Sequence, residues 1–296
     1  MSKRSQQELE NDDLSDIDVS STDDEVEQED EEAEEMINVD FDFFDLNPKV
    51  DFHALKNFLR QLFGEDSAFF SLSEIADMVL TDGRAGSTIK TDGEESDPFS
   101  VLSVISLTDN LESTSIKALV KYVLEKTNKK PQFNIVLRQL LSGSSKSRVG
   151  LVVSERLINM PVETVPPMYK MLLEEIEKAE NAATEYNFDF YLVPSRVYKL
   201  VASTVDQEME DAPSSKKSKK AEVPAETLDY FHYEDEVLEK HAQHHGYFEY
   251  TNKTIEADSR RVFNDYGVDP KLSLMLLDKK GFEKAVAEMQ ERFPPY

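Results

Sequence analysis

One stretch, Lys146 to Ile176 (KSRVGLVVSERLINMPVETVPPMYKMLLEEI), restricts the fold more than any other part of the chain. Val149 to Val153 is apolar and β-branched, the composition of a short buried strand. The polar Ser154-Glu155-Arg156 breaks that run, Leu157 to Pro161 follows, and Pro166-Pro167 opens a helix. Proline is tolerated in a first helical turn because the N–H groups there have no intrahelical acceptor. Behind it Met168, Leu172, Ile176, Ala179 and Ala183 recur at helical spacing, with Glu174, Glu175, Glu177 and Lys178 toward water. Strand, turn and amphipathic helix in that order form the α/β core of a domain. Glu155, Arg156 and Asn159 could be an active-site cluster, but the plainer reading has them fix the strand-to-helix turn by hydrogen bonding and ion pairing.

The rest of the chain interleaves strands and helices in the same way. INVDFDFF alternates as a strand with Val39, Phe41 and Phe43 on one side, with order beginning near Met36. Residues 51–63 predict a helix capped by Asp51, with Phe52, Leu55, Leu59 and Leu62 as its apolar stripe. A second helix is expected from Ser73 to Leu80. Thr81 to Pro98 is rich in turn residues and suggests a hairpin tip around AGSTIK. A strand over Phe99–Leu107, a helix over Ser115–Lys126 and another over Phe133–Leu141 come next. Beyond the central segment lie a strand at Phe188–Val193, extended chain to Val201, a charged helix from Tyr233 to His245, a strand at Ser273–Leu277 and a helix at Phe282–Phe293. The expected class is α/β with a mixed sheet flanked by helices.

Charge divides the chain unevenly. The net charge is -27, with 60 acidic against 33 basic side chains. Residues 1–40 hold seventeen of the acids against Lys3 and Arg4, a net of -15, which leaves -12 for the remainder. Residues 1–38 therefore read as a disordered acidic tail, densest at Asp23, Asp24, Glu25, Glu27, Glu29, Asp30, Glu31 and Glu32. It serves as a solubilising tail or as a contact for a basic client. Ser15, Ser20, Ser21 and Thr22 precede carboxylates, the context of acid-directed kinases, and phosphate there would add negative charge. Residues 39–296 form a single domain, interrupted at about 203–226 by a low-complexity insert. That insert carries the one basic cluster, Lys216, Lys217, Lys219 and Lys220, which suits a nuclear-import receptor.

Composition and motif spacing exclude several function classes. A chain this acidic repels nucleic-acid phosphates and attracts basic proteins. With no cysteine there is no disulfide, thiolate metal site or cysteine nucleophile. No apolar run approaches the roughly 20 residues of a membrane helix, and MSKRSQQELENDD lacks the apolar region of a secretory signal; a soluble intracellular protein is expected. No GxSxG elbow, Walker loop, kinase set or dinucleotide fingerprint occurs. His241, His244 and His245 lie close together, and His241 and His245 would share a helix face at a spacing that suits zinc. The competing reading, favoured here, is a solvated helix end where imidazoles face the C-terminal dipole. No cofactor, metal or catalytic residue is expected.

The string GLVVSERLINMPVETVPPMYK resembles the signature of the BCCIP family, a group of eukaryotic nuclear proteins. DFHALKNFLRQLFG at 51–64, the acidic leader and FHYEDEVLEKHA at 231–242 support that resemblance from about Phe41 onward. Glu155, Arg156, Asn159, Pro161, Pro166 and Pro167 are the signature positions. The resemblance implies a fold similar to the GNAT acetyltransferases. Acetyl-CoA in such a fold needs a (Q/R)-x-x-G-x-(G/A) loop at a helix N-terminus. The nearest candidate, Arg138-Gln139-Leu140-Leu141-Ser142-Gly143, lacks the required glycine spacing, so a divergent acetyltransferase stands as the lesser alternative. The resemblance further implies a non-enzymatic escort for a basic large-subunit ribosomal protein, acting in ribosome biogenesis and nuclear export. Its expected partners are that protein and the import and export receptors, with no nucleic acid or membrane. The protein would be a monomer apart from its client, resident in the nucleus and shuttling to the cytoplasm. A nuclear adaptor for cell-cycle or DNA-repair proteins is the other alternative.

Overall fold

In the computed structural model, which describes residues 40–81, 85–182, 186–200, 228–251 and 268–295, the apolar runs around Val101, Val152 and Leu192 become neighbouring strands of one eight-stranded sheet. In spatial order these are β1 (Asp42–Asp45), β2 (Gly86–Lys90), β3 (Ser100–Ser106), β4 (Val149–Arg156), β5 (Phe190–Leu200), β8 (Val268–Asp278) and β7 (His244–Phe248). The short β6 (Leu228–Tyr230) pairs with the far end of β5. All neighbours are antiparallel except β4 and β5, whose pairing covers only Val149–Leu151 against Phe190–Leu192.

Side chains alternate across a pleated sheet, and here both faces are covered. Val101, Ile105, Leu151, Val153, Leu192, Leu272 and Leu274 meet the helices α1 (Phe52–Phe63), α2 (Leu72–Val79), α3 (Thr114–Lys126) and α4 (Pro131–Leu140). Leu102, Val104, Val152, Tyr191, Val193, Met275 and Leu277 face α5 (Val165–Ala182), α6 (Glu234–His241) and α7 (Lys279–Arg292). Burial on both faces explains why the central strands read as continuous apolar runs. Ser71 and Ser113 cap α2 and α3 through their hydroxyls, and Pro166 and Pro167 lie in the first turn of α5. Among the described residues, no helix is long and apolar enough to cross a membrane.

Several elements depart from the sequence reading. AGSTIK is no hairpin tip: Gly86–Lys90 is a buried strand between β1 and β3. Gly86 opens it at φ +153°, and a Cβ there would lie 2.6 Å from the Leu102 carbonyl oxygen, so the close approach of β2 to β3 requires glycine. Asp51 does not cap α1 with its side chain. Its carboxylate instead lies 2.7 Å from the Lys90 Nζ, both groups buried, and accepts the Asn47 N–H at 2.7 Å. Ser154-Glu155-Arg156 does not break the strand but forms the last three residues of β4, paired with Leu102, Val101 and Ser100. Phe43 is exposed on the edge strand rather than buried beside Phe41. Val39 and Ala183 lie outside the described residues.

The charged helix also stops short. It ends at His241, and His244 and His245 belong to β7. The local pattern switches to period two, with Gly246 and Phe248 buried, because this segment is held by the register His244↔Leu276 to Phe248↔Leu272.

Candidate functional site

Past Leu151 and Leu192, β4 and β5 stop pairing, and β6 takes over the edge of β5 at Val197–Lys199. Diverging ends of parallel strands form the crevice in which open α/β sheets usually hold ligands. In this chain the crevice is packed with charged side chains. Glu155 of β4 reaches across to Arg196 of β5, accepting from Nε at 2.9 Å and from Nη2 at 3.1 Å. Arg156, the next residue, points to the other face and donates to both carboxylate oxygens of Glu234, each at 3.0 Å. Its Nη1 also donates to the Met160 carbonyl at 2.8 Å, which fixes the turn after β4. Two bidentate pairs thus cross the wedge, the geometry in which an arginine–carboxylate contact is strongest.

The wedge holds a third carboxylate without a guanidinium of its own. Asp235 accepts the Ser195 hydroxyl in a short hydrogen bond, and Ser195 Oγ accepts the Arg196 N–H at 2.6 Å. His232 sits between them, with Nε2 3.9 Å from Glu155 and Nδ1 3.7 Å from Asp235. All these groups are buried. Burial, reinforced by Glu234, pushes the Asp235 carboxyl well above its ordinary range. Glu155 is also raised, since burial outweighs the pull of Arg196. Burial and then the two arginines hold His232 well below its ordinary value, so it is neutral. Two cations thus face two carboxylates, with the third driven toward its neutral acid, which avoids an unpaired charge in the interior.

This constellation contains a serine, a histidine and an aspartate, yet not the connectivity of a nucleophilic triad. There a histidine stands between the serine and the carboxylate. Here Ser195 donates to Asp235 directly, and its hydroxyl is buried. The Arg138–Gly143 stretch is the C-terminal end of α4, with Gly143 at φ +70°. That is the end of a helix dipole that repels a pyrophosphate.

Above the wedge lies an open cleft of about 440 Å³. Ile158 and Val162 form one lip, and Tyr198, Leu200, Phe231 and Tyr233 the other. Its mouth is unusually apolar: Ile158 is 64% exposed, Tyr233 55% and Leu200 46%. The Arg196 guanidinium stacks 4.7 Å from the Phe231 ring centroid, which joins the cleft wall to the charged floor.

The signature residues are thus split between roles. Glu155 and Arg156 build the floor, while Asn159 is exposed on the turn, whose hydrogen bond to the Met160 carbonyl comes from Arg156. Pro161 precedes a single 3₁₀ turn whose Thr164 hydroxyl donates to the Pro161 carbonyl at 2.7 Å. Arg196, His232, Glu234 and Asp235 escaped the sequence reading as site residues, although FHYEDEVLEKHA carries three of them. The histidines do not converge either. His244 stacks on Phe133, His241 bonds Glu288 at 2.7 Å, and His245 lies 3.5 Å from Glu239. Their shared helix face is lost because His245 lies on β7. Among the described residues, no group of three His, Asp or Glu could hold a metal. Lys216, Lys217, Lys219, Lys220 and the acidic positions 23–32 lie outside the described residues.

Comparison with known proteins places this wedge in a family context. Residues 36–238 match the BCCIP family model, a span that includes every member of the charged network. Protein BCP1 of Debaryomyces hansenii is 56% identical over 277 residues, covering 90% of each chain. Protein bcp1 of Schizosaccharomyces pombe is 42% identical over 259 residues, covering 87% of this chain and 90% of that one. The crystal structure of BCP1 from Saccharomyces cerevisiae superposes with a TM-score of 0.60 at 36% identity, covering 89% of this chain and 92% of the other.

Proposed function

The chain belongs to the BCCIP family, and from that premise we propose that it is a nuclear, non-enzymatic chaperone for a basic ribosomal protein of the large subunit. The observation that carries this reading is charge: -27 overall, in a family whose resemblance implies an escort role. A free ribosomal protein presents Lys/Arg surface that otherwise meets rRNA, and it aggregates or binds nucleic acid indiscriminately. An acidic partner covers that surface, accelerates encounter by steering, and competes with RNA until assembly.

The wedge supports the non-enzymatic side of the reading. On an acetyltransferase-like frame, which the resemblance suggests, the space between the diverging strands would be the natural cofactor berth. Here Glu155–Arg196 and Arg156–Glu234 fill it. Nuclear entry fits Lys216, Lys217, Lys219 and Lys220, and an escort that shuttles to the cytoplasm would also meet an export receptor. Affinity purification of the tagged chain from its own cells, washed at low and at moderate salt, tests the proposal. One stoichiometric large-subunit ribosomal protein, free of rRNA, is expected. A set of repair or cell-cycle factors in its place would favour the adaptor alternative.

A further inference from the structure

We infer that the cleft over the wedge is the docking surface for the client, and that it takes an aliphatic or aromatic side chain flanked by lysine or arginine. This inference rests on the chaperone reading and adds where and how the client is held. Of the seven large hydrophobic side chains that are exposed among the described residues, Ile158, Leu200 and Tyr233 line this one cleft, and Leu157 adjoins it in the chain. Apolar exposure concentrated at one concave site marks an interaction surface rather than ordinary surface scatter.

The walls are held in place before any partner arrives. The Tyr198 hydroxyl donates to Asp229 at 2.9 Å, its ring packs 4.9 Å from Phe231, and Arg196 stacks on the other aromatic. A preformed pocket spares the ordering cost that weakens binding by loose surfaces.

Charge selects the occupant. The segment that forms the aromatic lip, residues 228–239, has not one Lys or Arg; its Glu234 and Asp235 are buried in the wedge, which leaves Asp229, Glu236 and Glu239 as the carboxylates at or near its surface. The arginine at the floor, Arg156, is neutralised by Glu234. The cleft therefore offers apolar contact at its centre, with Asp229, Glu236 and Glu239 in the segment beside it, which suits a cationic polypeptide with an apolar anchor. A second copy of the chain would bring a like acidic lip against this one across a two-fold axis, and an anionic membrane surface would be repelled.

The test uses proteins extracted from purified large ribosomal subunits as the probe. The full chain is immobilised as wild type, as Ile158→Ser/Tyr233→Ser, as Leu200→Ser, and as Ile135→Ser, which alters an equally exposed residue on α4. Thermal melting confirms that each variant is folded. Wild type and Ile135→Ser are expected to retain one basic protein at physiological and at several-fold higher salt. The cleft variants should bind it roughly tenfold or more weakly, with the residue of binding lost at high salt. Equal retention by wild type and both cleft variants overturns the docking site and leaves the chaperone reading intact. No ribosomal protein retained even by wild type overturns both. A wild-type dimer that Ile158→Ser/Tyr233→Ser dissociates assigns the cleft to a second copy and overturns the inference.

Discussion

Glu155 and Arg196 face one another across the gap where β4 and β5 no longer pair, joined by two N–H···O bonds of 2.9 and 3.1 Å. The ion pair does the bridging that backbone hydrogen bonds do elsewhere in the sheet. Removing one partner strands the other charge in the interior. Arg196→Met alone is expected to cost about 3–5 kcal/mol, whereas Glu155→Leu/Arg196→Met together should cost far less than the sum of the singles. Urea midpoints of the four proteins give the coupling directly. Additive losses would mean that the two side chains act independently.

The pH dependence of stability follows from Asp235 and His232, and the signs are opposite. A carboxyl raised in the folded state binds its proton more tightly there than in the unfolded chain. Stability from Asp235, and from Glu155 in the same sense, is therefore greatest at low pH and declines as pH climbs above the ordinary aspartate value of 3.8 through the raised one. His232 is depressed, so its contribution is present above the ordinary histidine value of 6.5 and is lost as pH falls below it. Asp235→Asn should flatten the alkaline side of a melting-temperature profile, and His232→Gln the acidic side. A profile unchanged by both substitutions would contradict the charge states assigned to the wedge.

These groups show what the sequence could and could not reveal. Strand and helix identities were legible wherever an apolar period was sustained, as at Val149–Val153 or Met168–Ile176. Ser154-Glu155-Arg156 looked like the end of a strand because charges do not continue a buried strand unaided. Their partners stand 41 residues away at Arg196 and 78 away at Glu234, and sequence spacing carries no sign of such pairings. The signature string and the supporting FHYEDEVLEKHA meet in space, since FHYEDE delivers Glu234 to the arginine of VVSER. The same holds for Asp51, whose position suggested a cap until Lys90 supplied a buried cation. The histidines misled for a simpler reason: a helical period was extended four residues past the helix end at His241, over the first two residues of β7.

The acidic leader should act on rate more than on specificity. Deleting residues 1–38 removes about half of the net charge by sequence. Stopped-flow association with the captured basic protein is expected to slow and its salt dependence to flatten, while equilibrium binding persists. Complete loss of binding would locate the site in the leader itself.

The proposed nuclear residence should depend on the lysine cluster at Lys216, Lys217, Lys219 and Lys220. Replacing Lys216, Lys217, Lys219 and Lys220 by alanine is expected to shift a fluorescent fusion toward the cytoplasm. Undiminished nuclear accumulation would remove the reason for assigning these lysines to import.

The most direct test of the proposed chaperoning is whether this chain keeps a basic ribosomal protein soluble and off RNA. The co-purified ribosomal protein, mixed with an rRNA fragment, would be followed by sedimentation with and without one equivalent of the full chain. The account predicts that the client moves into a soluble one-to-one complex and that the rRNA is released free. A client that precipitates, or stays on the RNA to the same extent with the protein present, would contradict it.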